Sequence, residues 1–169
     1  MKLVSKAEYD CERELSVCFT GHRPDKLPWG YDERDPRCGE FKKKLEAEIL
    51  RAYRQGARYF LSGMADGVDL YAAETVLRLN ALMPEMKLIA VFPYGTGKTA
   101  RKRRIASRAY RVVSLREEYV RTCFMERNRF LTAHSSRIIC GYSGAGSGGT
   151  AATIKLAYEA GLDVVIISI

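Results

Sequence analysis

The turn at Gly148, Gly149 and Thr150 has the residue types that suit a bound phosphate. It follows a short apolar, β-branched run, Arg137–Cys140, and precedes a stretch in which apolar residues recur at helical spacing. The first amides of a helix lack intrahelical acceptors, and the helix dipole makes this end partly positive. Glycine removes the Cβ that would hold a phosphate away from the backbone. The stretch therefore predicts an anion cradle, with close packing of a strand against a helix as the alternative.

A second candidate is the turn Gly21-His22-Arg23-Pro24, directly after the apolar run Leu15–Thr20. Ligands of open α/β sheets bind at the carboxyl ends of the strands, so His22 and Arg23 are expected to meet one. An arginine forks onto a phosphate or a carboxylate. A capping or solvent-facing pair is the alternative. A ligand role is favoured for this turn, and catalysis by His22 is not.

A third turn follows the short strand predicted over Tyr59–Leu61, and its polar and glycine positions are Ser62, Gly63, Asp66, Gly67 and Asp69. Asp69 is typical of a helix N-cap, which is favoured here over acid catalysis. Glu74, one turn into the following helix, suits either the positioning of a ribose or water or a plain surface role.

Arg127 and Asn128 lie near the middle of a helix predicted over Glu117–His134, and both are expected to face the site. By contrast, Gly95-Thr96-Gly97-Lys98-Thr99 is not a phosphate-binding P-loop. That motif requires a glycine five residues before the glycine that precedes the lysine, and Phe92 stands there. No catalytic residue is identified.

The elements that must position these turns alternate along the chain. Strands are predicted over Leu15–Thr20, Tyr59–Leu61, Lys87–Pro93, Arg111–Leu115, Arg137–Cys140 and Asp163–Ile169, and helices over Glu40–Gln55, Leu70–Ala81, Glu117–His134 and from Thr150 towards Gly161. Met1–Leu15 is interpreted as a polar lead-in. The alternation predicts an α/β fold: a Rossmann-like, doubly wound, mostly parallel sheet with helices on both faces, formed as a single domain over residues 1–169.

Composition narrows the class of protein. No apolar run approaches a membrane span, and the N-terminus has no apolar signal-peptide core, which favours a cytoplasmic protein without a membrane partner. Five scattered cysteines without a CxxC motif support neither a disulfide framework nor a metal site. The loop Asp25–Cys38 is expected to be functional or a lid, and its Trp29 and Tyr31 either stack on a base or pack the loop down, with packing favoured.

The basic stretch Lys98–Arg111 supplies much of the net charge of +8. Nucleic acid is one partner that it would suit, a helix over a phosphate-rich ligand is another, and solubility alone is the third reading. Nucleic acid is not favoured. A homo-oligomer is compatible with the sequence.

Four motifs carry a resemblance. They are CFTGHRP at Cys18–Pro24, SGMADGVDLYAAE at Ser62–Glu74, ERNRFLTAHSSRIICGY at Glu126–Tyr142 and SGGTAATIKLAYEAG at Ser147–Gly161. Their order and spacing resemble the YpsA-like family of the SLOG superfamily, which joins DNA-processing protein A to the Lonely Guy phosphoribohydrolases.

The resemblance implies a Rossmann-like fold that binds a nucleotide or nucleotide-derived ligand, as a sensor or carrier. Similarity to molybdenum cofactor carrier proteins keeps a pterin-type ligand in view, and no particular cofactor is identified. The implied ligand-binding residues are Gly21, His22, Arg23, Ser62, Gly63, Asp66, Gly67, Asp69, Arg127, Asn128, Gly148, Gly149 and Thr150.

One departure matters for activity. The Lonely Guy enzymes carry a glutamate three residues after the threonine of their glycine motif, and Thr153 stands at that position here. The alternatives are an N-glycosidic hydrolase of nucleotides that uses Asp66, Asp69 or Glu74 instead, and a nucleic-acid-binding module like DNA-processing protein A.

Overall fold

Seven strands form one sheet in the structure, a computed structural model that describes residues 2–169. Met1, the first residue of the predicted lead-in and of the predicted 1–169 domain, lies outside the described residues. The strands are β1 (Leu3–Val4), β2 (Ser16–Gly21), β3 (Tyr59–Ser62), β4 (Lys87–Phe92), β5 (Arg111–Ser114), β6 (Arg137–Tyr142) and β7 (Asp163–Ser168). Their order is β1-β5-β4-β3-β2-β6-β7, and every neighbouring pair is parallel.

Five helices connect the strands: α1 (Pro36–Arg54), α2 (Val68–Asn80), α3 (Ala100–Arg108), α4 (Cys123–Ala133) and α5 (Gly149–Glu159). Short 3-10 helices occupy Arg13–Leu15 and Pro24–Lys26. No helix within residues 2–169 is both long and apolar enough to cross a membrane.

The sheet is covered by helices on both faces because its strands alternate two sets of apolar side chains. Val17 and Phe19 pack into the core cluster that contains the buried faces of α1, α2 and α3. Cys18 points the other way, into the cluster formed with α4 and α5. The predicted Rossmann-like, doubly wound α/β fold is thus confirmed, and the sheet is wholly rather than mostly parallel.

The chain reverses its direction across the sheet at β2. Strands β3, β4 and β5 follow on one side of β2, and β6 and β7 follow on the other. Loops that leave the carboxyl ends of β2 and β6 diverge at such a reversal and leave a crevice, which is the usual ligand position of open α/β sheets.

Three predicted features differ from the structure. Met1–Leu15 is not only a lead-in, because Leu3 and Val4 pair with Val112 and Val113 of β5. Helix α4 begins at Cys123 rather than Glu117. Asp69 is not the N-cap of α2, because Gly67 occupies that position and Asp69 lies in the first turn of the helix.

Candidate functional site

Two adjoining cavities open at the carboxyl edge of the sheet. The glycine chamber, of about 390 Å³, is lined by the β2 turn, by Asp69, by α4 and by Ser147, Gly149, Thr150 and Thr153 at the start of α5. The aromatic chamber, of about 520 Å³, is lined by Gly63–Asp66, Phe92–Lys98, Lys102, Glu117–Tyr119 and Phe124. Arg23, Ala65, Phe124 and Arg127 line both chambers, so the two form one continuous cleft.

The start of α5 forms one end of the glycine chamber. Gly148 has a φ of +94°, a conformation that favours glycine, and a Cβ added at Gly149 would meet no heavy atom within 4 Å. The ammonium of Lys26 lies 3.0 Å from the place where a Cβ of Gly148 would be. A cation at the positive end of a helix is unfavourable by itself, and the arrangement therefore suits an anion bound between them.

Arg127 crosses the floor of the cleft with only 7% of its surface exposed. Its Nη1 donates to the carbonyl oxygen of Gly63 at 2.7 Å, and its Nε donates to Oδ1 of Asn128 at 3.0 Å. Its Nη2 has no hydrogen-bond partner among residues 2–169 and belongs to a side chain that lines both chambers. Burial lowers the pKa of Arg127, and the charge of Asp69 opposes that shift.

Asp69 is a buried acidic residue whose charge acts on Arg127. Its Oδ2 accepts from the amide of Ala65 at 3.2 Å, while its Oδ1 is buried without a partner among the described residues. Burial raises the pKa of Asp69, and the positive charge of Arg127 works against that rise. Asp69 thus keeps one buried carboxyl oxygen without a hydrogen-bond partner among residues 2–169.

The turn that joins β3 to α2 is held under strain. Met64 has a φ of +60° although it carries a side chain and is buried. The hydroxyl of Ser62 accepts from the amide of Met64 at 3.2 Å and donates to the carbonyl oxygen of Asp69 at 2.8 Å. These two hydrogen bonds hold Met64 in its strained conformation, next to the Gly63 carbonyl that accepts from Arg127.

His22 ties together the two strands at the reversal of the sheet. Its Nε2 accepts from the amide of Ser143 at 3.1 Å, so the neutral ring carries its proton on Nδ1. Burial lowers the pKa of His22, and the charge of Lys26 adds to this effect. The bond joins the loops after β2 and β6, which makes His22 a positioning residue of the glycine chamber.

Four aromatic residues line the aromatic chamber, Phe92, Tyr94, Tyr119 and Phe124, and the last three form one cluster. The centroid of Tyr94 lies 5.7 Å from that of Tyr119 and 6.4 Å from that of Phe124. The Lys98 ammonium lies 4.8 Å from the Tyr94 centroid, and that of Lys102 lies 3.4 Å from Oδ1 of Asp66. Aromatic faces flanked by cations suit a planar, electron-rich group such as a nucleobase.

The structure brings together most of the residues that the sequence singles out. Those that line the cleft are Gly21, His22, Arg23, Gly63, Asp66, Asp69, Arg127, Asn128, Gly149 and Thr150. Gly148 adjoins Lys26 at the same place, and Ser62 supports the β3 turn from behind.

Glu74 does not join them, because its carboxylate binds the guanidinium of Arg101 outside the cleft. Gly67 lies under the backbone of the β2 turn, where an added Cβ would stand 2.5 Å from the carbonyl oxygen of His22. Gly67 therefore allows the start of α2 to pack closely against the β2 turn. Trp29 likewise packs the loop down, with its Nε1 donating to the hydroxyl of Tyr71 at 3.1 Å.

Sequence reasoning missed Lys26 and the three aromatic residues of that cluster. Tyr94, Tyr119 and Phe124 come from the loop after β4, the segment before α4 and the first turn of α4. The one available signal was the cluster of aromatic and basic residues after two predicted strand ends. Lys26 gave no signal, because its distance from α5 depends on the path of a loop.

Comparison with known proteins identifies the family of the chain. The YpsA family model, described as the YspA SLOG family, matches residues 17–161. A UPF0398 protein of Brevibacillus brevis is 25% identical over 137 residues, which cover 75% of this chain and 72% of that protein. UPF0398 proteins of Lysinibacillus sphaericus and Ligilactobacillus salivarius are 28% and 25% identical over stretches that cover 42% and 43% of their lengths. Since the family match spans most of the chain, the protein belongs to the YpsA family of SLOG proteins and so to the nucleotide-related Rossmann-like proteins.

Proposed function

We propose that the protein binds a nucleotide or nucleotide-derived ligand across the glycine and aromatic chambers, as a sensor or carrier. The observation that carries the proposal is Arg127, a buried cation that lines both chambers and whose Nη2 has no partner among residues 2–169. A buried charge is costly unless it is paired. An anionic ligand that spans the two chambers supplies the missing partner.

The two chambers suit the two ends of a nucleotide. The start of α5, with Gly149 open to solvent and Lys26 beside it, suits a phosphate. The rings of Tyr94, Tyr119 and Phe124 suit the base. Asp69, with its free Oδ1, suits a hydroxyl or amine donor of the ligand near the junction.

The experiment is a thermal-shift screen with adenine and guanine nucleotides, ADP-ribose and pterins. A ligand at 100 times its Kd stabilises the folded protein by about 2.7 kcal/mol, which raises the melting temperature. Gly149→Asp is expected to abolish the shift, because it places a carboxylate where the phosphate binds. The variant itself is expected to fold, since an added Cβ meets no atom within 4 Å and a carboxylate is favourable near a helix N-terminus.

Gly39→Asp is the matched control. Gly39 also lies near the start of a helix, α1, and an added Cβ there meets no atom within 4 Å. This control is expected to keep the full ligand shift. An equal ligand shift in wild type and Gly149→Asp would place the phosphate elsewhere, and no shift with any ligand would contradict the proposal.

An N-glycosidic hydrolase is the competing function, and Asp69 is the one predicted acid whose position favours it. Glu74 is bound to Arg101, and Asp66 faces Lys102. The hydroxyl of Thr153 is committed to the carbonyl oxygen of Gly149 at 2.9 Å. We expect no release of base from nucleoside 5′-monophosphates in a chromatographic assay. Multiple turnovers that are lost in Asp69→Asn would favour the hydrolase.

A further inference from the structure

Two arginines lie beside Phe124 at the junction of the chambers, and the buried carboxyl of Asp69 feels the charge of both. The guanidinium carbons of Arg23 and Arg127 lie 5.3 Å and 5.9 Å from the centroid of Phe124, and both side chains line both chambers. Within residues 2–169 neither forms a salt bridge, although twelve such pairs occur in that part of the chain. Asp69 offsets part of this positive charge, and an anionic ligand bound beside the two guanidiniums would offset the rest.

The start of α5 is a separate position for negative charge. It is formed by the amides that follow Gly148 and by the Lys26 ammonium, and none of these groups belongs to the arginine pair. Arg127 comes from α4, and Arg23 comes from the turn after β2. The cleft thus offers two anion positions built from different elements.

Both positions line the glycine chamber, whose volume is about 390 Å³. Two linked phosphates can occupy both positions at once, with one at α5 and the other beside the guanidiniums of Arg23 and Arg127. A single phosphate satisfies one position and leaves the other cationic group unpaired.

Resting on the proposed function, we infer that the cleft selects a nucleotide with a diphosphate group, either a nucleoside diphosphate or a diphosphate-linked dinucleotide, over the monophosphate. The diphosphate lies in the glycine chamber between α5 and the Arg23–Arg127 pair, and the base lies in the aromatic chamber. Contacts from the Arg23 guanidinium and from Nη2 of Arg127 make the second phosphate the main source of discrimination.

The test is titration calorimetry with ADP and AMP, and with GDP and GMP, on wild type and on Arg23→Gln. Wild type is expected to bind one of the diphosphates at least about tenfold more tightly than its monophosphate, a difference of about 1.4 kcal/mol. Arg23 is exposed, so Arg23→Gln is expected to fold. It should weaken the diphosphate more than the monophosphate and bring the ratio of affinities towards one.

Arg54→Gln removes the same charge from the exposed end of α1 and is expected to keep the wild-type ratio. Equal affinities for mono- and diphosphate, or an equal loss of both in Arg23→Gln, would overturn this inference while the proposed function stands. Absence of binding by all four nucleotides, together with no shift in the wider screen, would overturn the proposed function itself.

Discussion

Gly63 lies where the end of β3 meets α4, and its missing side chain makes room for Arg127. A Cβ at this position would stand 2.7 Å from Cδ of Arg127 and 2.9 Å from Oδ2 of Asp69. Gly63→Ala is therefore expected to lower the free energy of unfolding by about 1–3 kcal/mol, as overpacking does. Urea unfolding measures the change.

Gly39→Ala is the control, because a methyl group at Gly39 meets no atom and lies inside α1. That substitution is expected to raise the free energy of unfolding by about 0.4–1 kcal/mol, through the lower chain entropy of the unfolded state. Equal effects of the two alanines would mean that the contact between Gly63 and Arg127 is not tight in solution.

His22 makes the stability depend on pH in a defined direction. Because burial lowers its pKa, the unfolded chain takes up a proton near pH 6.5 while the folded protein does so only at lower pH. The unfolded state binds more protons in that window, so stability is lost as the pH falls from about 6.5 towards the folded pKa. His22→Gln is expected to remove this part of the slope, because its amide oxygen can still accept from Ser143.

The measurement is the free energy of unfolding of both proteins at a series of pH values between about 4.5 and 7.5. Groups other than His22 contribute equally to the two curves, so their difference isolates the histidine. Parallel curves over the whole range would show that the folded and unfolded pKa values of His22 are the same.

At the residue scale, the sequence predicted the residues of the glycine chamber far better than those of the aromatic chamber. The glycine turns and the Arg127-Asn128 pair can be recognised from short stretches of sequence. Gly21, Gly149, Arg127 and Asn128 all line the glycine chamber. Tyr94, Tyr119 and Phe124 are ordinary aromatic residues until folding brings them together. Asp69 was misplaced as an N-cap because an aspartate in the first turn and one at the cap look alike in sequence.

At the element scale, Arg101 joins three parts of the chain. Its Nη1 donates to Glu33 at 2.6 Å and its Nη2 donates to Glu74 at 3.0 Å, so α3 is linked to the loop before α1 and to α2. Partly exposed pairs contribute about 0.2–1 kcal/mol each and are screened by salt. Arg101→Gln is expected to lower the free energy of unfolding by about 1 kcal/mol, and by less at high salt.

The matched control for Arg101 is Lys43→Gln, which breaks the fully exposed pair with Glu40 within α1. Its effect is expected to stay within a few tenths of a kcal/mol, about the value of an exposed helical pair. Urea unfolding at low and high salt compares the two variants. A salt-independent loss in Arg101→Gln would point to lost packing rather than lost charge.

Element boundaries were predicted well where a periodic apolar pattern decided them. Strands β2 to β7 lie within two residues of their predicted bounds. Helix α4 begins at Cys123 rather than Glu117, and Glu117–Tyr119 line the aromatic chamber, which their helix-compatible sequence does not reveal. Strand β1 was missed because two residues in a polar stretch have no periodicity, and β5 alone makes Leu3 and Val4 a strand.

At the scale of the whole molecule, the order of the strands decides where the cleft lies. The sequence predicts that ligands bind at carboxyl ends, but the neighbours of β2 follow from long-range pairing. The reversal between β2 and β6 brings the Arg23 turn to the start of α5, although about 125 residues separate them. The position of the cleft is therefore determined by the order of the strands, and no single sequence motif predicts it.

The net charge of +8 makes nucleic acid a partner to consider. In the structure, some of the cations of the basic stretch are paired with acidic side chains. Of the seven Lys and Arg side chains in Lys98–Arg111, Arg101 is bound by two glutamates and Lys102 is paired with Asp66. Arg104 and Arg108 are exposed, form no salt bridge among residues 2–169 and line a separate groove between α2 and α3, which leaves both accessible to a phosphate backbone. Few contacts of this kind give weak binding that does not depend on sequence.

We expect the affinity for single-stranded DNA, measured by fluorescence anisotropy, to fall with salt at a log–log slope of about −0.7 for each phosphate contact. Arg104→Gln and Arg108→Gln should each reduce the slope by about one contact. Arg101→Gln should leave it nearly unchanged, because that guanidinium is already occupied by Glu33 and Glu74. Submicromolar affinity that persists at about 0.15 M salt, or a slope that is insensitive to Arg104 and Arg108, would mean that DNA binds through a different surface. The cleft between α5 and Arg127 would then be the first surface to test, by competition between DNA and a bound nucleotide.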